Sequence, residues 1–304
     1  MPSATPGSVV AFADAPVAPL GPWTPPHPAR AILGDPAAVL AAVALGIVAL
    51  AALLAPWIAP FDPSLPLDLS ARARPPSTTH WFGTDAISRD LLSRVMYGAR
   101  LSLGISFIAV LVATLVGTGW GAVAGYAGGA LDSTLMRIVD TGLAIPRIIL
   151  LLAIVSLWGA LTATGLALVL GLTGWFGASR LVRAEVRRVR QRDFTLAARA
   201  LGAAPSRVLV RHVLPHAITP MLIAATLAIG QVVVVEAGLA FLGYGIAPPA
   251  ASWGSIIRDG RDSVATAWWM SVFPGVTLAL TVLAINVLGD RLRAALGGRQ
   301  VPAP

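Results

Sequence analysis

Polar segments alternate in this sequence with six apolar runs, most of them about 20 residues long and nearly free of charge. A run of this length is what an α-helix needs to cross the hydrocarbon core of a bilayer. Within lipid the backbone must satisfy its own hydrogen bonds, which helices do. Of the 304 residues only 12% are charged, whereas soluble domains carry about 25%. The chain is therefore predicted to be an all-α membrane protein with six transmembrane helices.

The six predicted spans cover residues 36–58, 101–126, 141–161, 165–178, 217–236 and 268–288. Residues 1–35 are rich in proline and alanine, and we expect them to form a disordered cytoplasmic tail. The five later spans belong to a core domain of residues 101–297, followed by a short tail of residues 298–304. This division assigns the first span, 36–58, to a helix outside the core domain.

A hydrophilic segment of residues 59–100 separates the first two spans and is predicted to be an external loop. From Ser88 onward, Leu91, Leu92, Val95 and Met96 recur at helical spacing. That pattern predicts an amphipathic helix on the membrane surface.

Three glycines in the second span, Gly117, Gly121 and Gly125, stand four residues apart. This spacing allows a second helix to approach closely. It fits packing inside the bundle, and it also fits a dedicated dimer motif. Packing inside the bundle is the simpler interpretation.

The distribution of arginine predicts that both termini are cytosolic. In that orientation the inner segments carry 14 arginines and the outer segments carry seven. This bias agrees with the positive-inside rule. All 22 basic residues are arginine, so the chain lacks the lysine with which a P-loop holds nucleotide phosphates. Cysteine is absent as well, which excludes disulfides and thiolate metal sites.

Nine of the arginines fall in residues 180–215, a polar island between the fourth and fifth spans. Two short helices are predicted there. The first covers residues 194–203, with Asp193 as N-cap and Gly202 near its C-terminus. The second begins at Pro205 and runs to about His212. Charge alone allows two roles, docking into a cytosolic partner or facing anionic lipid to enforce topology.

The order of residues in this island resembles a known motif. Leu196-Ala197-Ala198, Gly202 and Val213-Leu214-Pro215 are similar to the cytoplasmic "EAA loop" of bacterial ABC-importer permeases. Leu196 stands where the motif has glutamate, and His212 stands where isoleucine is usual. The resemblance implies a coupling helix that docks in a groove of an ATPase subunit. The residues assigned to it are Asp193, Leu196, Ala197, Ala198, Arg199, Gly202, Arg207, Arg211, His212, Leu214 and Pro215.

Further segments resemble the second permease subunit of dipeptide, oligopeptide and nickel importers, over residues 36–297. They are His80–Arg100 (with Ser88 in place of the usual glycine), Glu236–Gly245, Pro248-Pro249, Ser252-Trp253-Gly254, Trp268-Trp269, Phe273-Pro274-Gly275 and Gly289-Asp290. The resemblance implies the type I ABC-importer permease fold, with a cytoplasmic coupling helix between spans four and five. It also implies transport by alternating access.

The same resemblance implies a set of partners in a bacterial inner membrane. We expect a homologous partner permease, two cytoplasmic ATPase subunits that bind ATP and Mg²⁺, and an extracytoplasmic substrate-binding protein. The chain itself is expected to catalyse no reaction and to bind no cofactor, metal or nucleic acid. The implied substrates are peptides, or related small molecules such as nickel complexes and glutathione.

Three polar residues in or beside the spans are candidates for the translocation pathway. Glu236 can meet a peptide amino group, or it can lie hydrated at the outer interface or pair with Arg258. Arg147 can line the mouth of the pathway or snorkel to the interface. Asn286 can line the pathway or bond a neighbouring helix.

A secondary transporter or channel that is not driven by ATP is the alternative. Such a protein needs an ionisable relay or ion site within its spans. The spans here hold almost no charge, and the largest polar element lies outside them. The sequence therefore favours the ATP-driven importer.

Overall fold

The structure is a computed structural model that describes residues 34–66, 69–159 and 161–296. Its helices are α1 (Pro36–Ile58), α2 (Leu91–Ala127), α3 (Gly129–Ala144), α4 (Arg147–Trp158), α5 (Ala163–Arg190), α6 (Asp193–Ala200), α7 (Pro205–Val208), α8 (Leu214–Phe241), α9 (Trp253–Gly260) and α10 (Trp269–Leu296). A π turn, Leu209–Val213, joins α7 to α8. Nearly all of the predicted N-terminal tail, and the C-terminal tail, lie outside the described residues.

Five helical segments of the described chain are long and apolar enough to cross a membrane. A sixth span arises when α3 and α4, which meet at 83°, are taken together. The prediction of six spans is confirmed in this form. The third span was predicted over residues 141–161, but the structure forms it from two helices, of which the first begins at Gly129 and the second ends at Trp158. Pro146 disfavours the α conformation at Ile145, which is extended with φ −87° and ψ 124°, and the helix breaks there.

The start of α2 is also different from the prediction. Leu91 and Val95 belong to the first turns of a 37-residue helix, not to a separate helix on the membrane surface. Both are buried against Trp253 and Trp269. Asp90 begins the helix, because its Oδ2 accepts the backbone N–H of Ser93 at 2.8 Å. The helical spacing was predicted correctly, but this apolar face packs into the protein and not onto the membrane surface.

The long helices α2 and α5 run parallel and pack through the glycines of α2. A Cβ atom on Gly117 would lie 2.6 Å from the Cβ of Ala178, and one on Gly125 would lie 2.7 Å from the carbonyl oxygen of Arg183. The predicted close approach is confirmed, and the contact is within this chain. Both helices end at the same side of the bundle, which we call the basic face because α5 ends in Arg187, Arg188 and Arg190.

The opposite face is closed by a buried ion-pair network between the segment before α2 and helix α9. Asp85 accepts from Arg89 and Arg94, each at 2.7 Å, and Arg94 also donates to Asp259 at 2.8 Å. Trp269 donates its Nε1–H to the carbonyl oxygen of Thr84 at 3.1 Å. These contacts fix the polar segment of residues 69–90 on the ends of the spanning helices.

Candidate coupling segment and membrane cavity

The arginine-rich island is shorter than predicted, because α5 continues to Arg190. Several of its arginines are paired at the end of the helix bundle. Arg183 binds Asp132 of α3 through two hydrogen bonds of 2.6 and 2.7 Å. Arg180 contacts Asp140 at 2.5 Å, and Arg190 lies over the ring of Tyr126. These residues stabilise α5 on its neighbours and are not part of a loop.

We define the coupling segment as residues 191–215. Its first helix is α6. Asp193 is the first residue of this helix and not its N-cap, which is Arg192, so that prediction is wrong. Its carboxylate still stabilises the helix, because it lies at the positive N-terminal end of the helix dipole. Thr195 is buried, and its hydroxyl donates to the carbonyl oxygen of Val189 at 2.9 Å. Helix α6 is thus fixed to the end of α5.

Gly202 ends α6 in a Schellman motif. The N–H of Ala203 donates to the carbonyl oxygen of Ala198 at 3.1 Å, and that of Gly202 donates to Arg199 at 3.0 Å. Gly202 has φ +82°, in the left-handed region where a Cβ is unfavourable. A Cβ at Gly202 would meet no atom within 4 Å, so close packing does not require a glycine there. The glycine of the motif is therefore explained by its backbone conformation.

Helix α7 does not end near His212 as predicted but continues through the π turn into α8. Pro215 has no N–H, and its ring would clash with the carbonyl group four residues earlier in a regular α-helix. The turn before it is wider, with the N–H of Leu214 donating to the carbonyl oxygen of Leu209. Leu214-Pro215 thus marks the point where the coupling segment joins a span.

One side of the coupling segment is anchored and the other is exposed. Val208 and Val213 are buried in a cluster with Val182, Val186, Val189, Ala122, Ala217 and Met221, against which Ala198 and Leu214 also pack. On the exposed side, Leu201 is 89% accessible and Leu196 is 48% accessible. Of the other residues assigned to the coupling helix, His212 is half-buried and the exposed ones are Asp193, Ala197, Arg199, Gly202, Arg207, Arg211 and Pro215.

Four arginines of the segment are left without an ion pair among the described residues: Arg192, Arg199, Arg207 and Arg211. All four are exposed. Exposed leucines among uncompensated arginines form a surface that suits an acidic, apolar cleft on a partner protein.

Arg147, at the start of α4, lines a cavity of about 210 Å³ between α2, α4, α5 and α8. Its Nη2 donates to the carbonyl oxygen of Leu170 at 3.0 Å. Gln231 and Thr114 also line the cavity. The other two pathway candidates, Glu236 and Asn286, do not line this cavity. Asn286 is exposed beside Gly230, where α10 meets α8.

Comparison with known proteins decides the family. Residues 117–301 match the model of the binding-protein-dependent transport system inner membrane component, and this range contains the whole coupling segment. The chain belongs to this family.

Curated relatives extend the match to most of the permease. A putative peptide transport system permease protein of Brucella suis is 41% identical over 263 residues, which are 84% of this chain and 86% of the relative. The probable D,D-dipeptide transport system permease protein DdpC of Escherichia coli is 36% identical and covers 88% and 90% of the two chains. The dipeptide transport system permease protein DppC of Bacillus subtilis is 36% identical, covering 81% and 76%.

A solved structure of the MetNI methionine ABC transporter, in an inward-facing conformation, has a similar fold. The TM-score is 0.55 at 22% identity, covering 67% of this chain and 96% of the other. The expected type I ABC-importer permease fold is confirmed.

Glu236 of the permease lies in a different place from either expectation. It is completely buried where α2, α8 and α9 meet, and its Oε2 accepts the hydroxyl hydrogen of Ser102 at 3.0 Å. Ser102 in turn accepts the N–H of Trp253 at 3.2 Å. Glu236 therefore neither lines an open pathway in this chain nor pairs with Arg258.

Sequence reasoning missed Thr195 and Ser102, whose partners lie on other elements. Thr195 lies inside the motif, but its neighbours Phe194 and Leu196 are both exposed, so the local pattern gave no signal for a buried position. Ser102 lies 134 residues from Glu236, and nothing in the local pattern around either residue indicates the bond.

Proposed function

We propose that this permease is the transmembrane subunit of an ATP-driven importer that moves peptides, or related small substrates such as nickel complexes and glutathione, across the bacterial cytoplasmic membrane. The names of the Brucella, Escherichia and Bacillus relatives support a peptide substrate. The coupling segment supports ATP-driven movement, because it presents exposed leucines and unpaired arginines on a backbone anchored to the bundle.

In this proposal two cytoplasmic ATPase subunits bind ATP and Mg²⁺, and each importer contains a homologous partner permease. An extracytoplasmic binding protein delivers the substrate. Both termini and the basic face lie in the cytosol, as the arginine bias indicates. Closure of the ATPases pushes the segment of residues 191–215, and the push reaches the spans through α5 and α8. The nucleotide then biases two states of the bundle.

Leu196 in place of the motif glutamate changes how docking is achieved. A leucine cannot accept a hydrogen bond, so the polar contact of the motif is absent at this position. In the proposal, apolar contact by Leu196 and Leu201 and the charge of the neighbouring arginines hold the ATPase. Its groove is accordingly apolar with an acidic rim.

Retention of the ATPase subunits tests the docking surface. In a co-expressed importer, Leu201→Asp places a charge at the most exposed apolar position of the segment. We expect ATPase recovered with the tagged permease to fall about tenfold or more, since charged groups are disfavoured at the centre of an interface. Val264→Asp is the matched control, because Val264 is another exposed apolar residue but lies beyond α9, away from the basic face. Unchanged recovery with Leu201→Asp contradicts the docking role.

Uptake into vesicles tests the energy source. The complete importer, with its binding protein, is expected to accumulate a labelled dipeptide only when ATP is present on the ATPase side. Ionophores that collapse ion gradients are expected to leave uptake unchanged. Uptake that requires an ion gradient and no ATP would instead establish the secondary-transporter alternative.

A further inference from the structure

Arg147 lies inside the bundle, away from the basic face. Its guanidinium binds the carbonyl oxygen of Leu170, the eighth residue of α5. With a rise of 1.5 Å per residue, Leu170 lies about 10 Å along the helix from Ala163 and about 30 Å from Arg190. The guanidinium is therefore far from the basic face, where a snorkelling arginine would place it.

This arginine has no anionic partner in the described part of the chain. The one hydrogen bond of its guanidinium to the described residues goes to the neutral carbonyl group of Leu170, and Nε is buried with no hydrogen-bond partner. The other arginine with a buried, unpartnered Nε, Arg94, differs because two carboxylates contact its Nη atoms. An uncompensated guanidinium among apolar helices is costly and indicates a functional partner.

The surroundings of the guanidinium leave room for such a partner. The cavity of about 210 Å³ beside it is lined largely by small residues, among them Ala113, Gly174, Ala225 and Ala228. Gly174 makes the approach possible, because a Cβ there would lie 3.0 Å from Nη2 of Arg147. Arg147 is also the first residue of α4, so it belongs to the positive N-terminal end of that helix, and no side chain caps that end.

We propose that Arg147 binds a carboxylate group of the transported substrate inside this cavity, so that the permease itself reads a charge on its cargo. The inference rests on the proposed function, and it assigns to that function a substrate class, molecules with a free carboxylate. Guanidinium and carboxylate match in shape and charge and form two parallel hydrogen bonds. Gln231 lies in the same cavity and offers an amide group to a peptide bond.

An anionic lipid headgroup has the same chemistry, so the experiment must separate the two sources. The complete importer is reconstituted with its binding protein, once in vesicles of neutral lipid and once with anionic lipid added. Uptake is measured for a labelled dipeptide and for the same dipeptide with an amidated C-terminus. Each peptide is supplied at a concentration that saturates the binding protein, as checked by titration of the binding protein alone.

The variants are Arg147→Gln, which removes the charge, and Arg147→Lys, which keeps it. We expect Arg147→Gln to slow uptake of the free-carboxylate peptide about tenfold or more, in both kinds of vesicle, while the amidated peptide changes little. Arg147→Lys is expected to recover part of the loss. Elution of the complex as a single peak on size exclusion, with the ATPase subunits recovered on the tagged permease, shows that each variant is folded and assembled.

Three outcomes would overturn the inference. Equal loss for both peptides would make Arg147 a structural residue, and no loss for either peptide would show that its charge has no part in uptake. A difference between wild type and Arg147→Gln that appears only with anionic lipid would assign the site to a headgroup. If the wild type moved neither peptide, the proposed function would fail as well, whereas in the other cases peptide uptake persists and the proposed function stands.

Discussion

Arg94 and Asp259 lie 165 residues apart in the sequence and are joined by a hydrogen bond of 2.8 Å from Nη2 to Oδ2. The Arg94 side chain is 3% exposed, and its Nη1 donates to Asp85 at 2.7 Å. The segment before α2 and helix α9 are therefore tied together through one buried guanidinium.

The first prediction concerns this buried guanidinium. Arg94→Met leaves Asp85, itself buried, without one of its two cationic partners. Breaking a buried pair by removing one partner typically costs about 3–5 kcal/mol, so we expect a clearly lower unfolding temperature of the detergent-purified permease. Arg261→Ala is the control, because the Arg261–Asp262 pair is exposed and such pairs contribute at most about 1 kcal/mol. Equal unfolding temperatures for the two variants would contradict the prediction.

A second prediction concerns the α2–α5 contact. Gly121 lies against the backbone of α5, and a Cβ on it would be 2.3 Å from the carbonyl oxygen of Ser179. We expect Gly121→Val to destabilise the fold by about 1–3 kcal/mol or more, because the two backbones must separate.

The matched control for that variant lies two residues away on the same helix. A Cβ at Gly119 meets no atom within 4 Å. Gly119→Ala is expected to be neutral, or to stabilise by up to about 1 kcal/mol through helix propensity. Thermal unfolding of both variants measures the difference, and a Gly119→Ala protein as unstable as Gly121→Val would refute the packing argument.

The third prediction concerns the end of α6. At Gly202, φ is +82°, a conformation that costs an alanine about 1–2 kcal/mol. Gly202→Ala is expected to loosen the Schellman turn and to speed hydrogen exchange at the amides of Ala203 and its neighbours in α6. Gly202→Asn should restore much of the protection, since asparagine tolerates this region better. Unchanged exchange in Gly202→Ala would show that the turn is not required.

The fourth prediction separates charge from shape at Glu236. A glutamine there still accepts from Ser102 and fills the same volume, so Glu236→Gln is expected to change stability by less than about 1 kcal/mol. Glu236→Ala removes the acceptor and leaves a cavity, at a cost of about 2–4 kcal/mol. The fraction of permease that remains monodisperse after heating in detergent compares the two. A glutamine variant as unstable as the alanine variant would mean that the negative charge itself is needed.

Hydropathy was sufficient to predict the number of spans, because the length of an apolar run is set directly by the bilayer. It was not sufficient for the third span. Pro146 was visible in the sequence, but whether a proline bends a helix slightly or breaks it through 83° depends on the packing around it. Phe176 of α5 packs against Gly142, two residues before α3 ends, and such contacts are set by the tertiary fold.

The extent of the coupling segment was overestimated for an electrostatic reason. Arg183 and its neighbours look like loop residues when counted by charge. They belong to α5, where Arg183 pairs with Asp132, 51 residues earlier on α3. By contrast, the place of Gly202 at the end of α6 was predicted correctly, since glycine acts through its own backbone and needs no distant partner.

Helix α7, the π turn and α8 together make one unbroken helical segment, Pro205–Phe241, of 37 residues. At 1.5 Å per residue this is a rod about 55 Å long, with one end in the coupling segment and Glu236 near the other. A tilt of this rod by about 10° about its basic-face end displaces the far end by about 10 Å. A small rotation imposed at the coupling segment is therefore converted, by geometry alone, into a large displacement on the opposite side of the membrane.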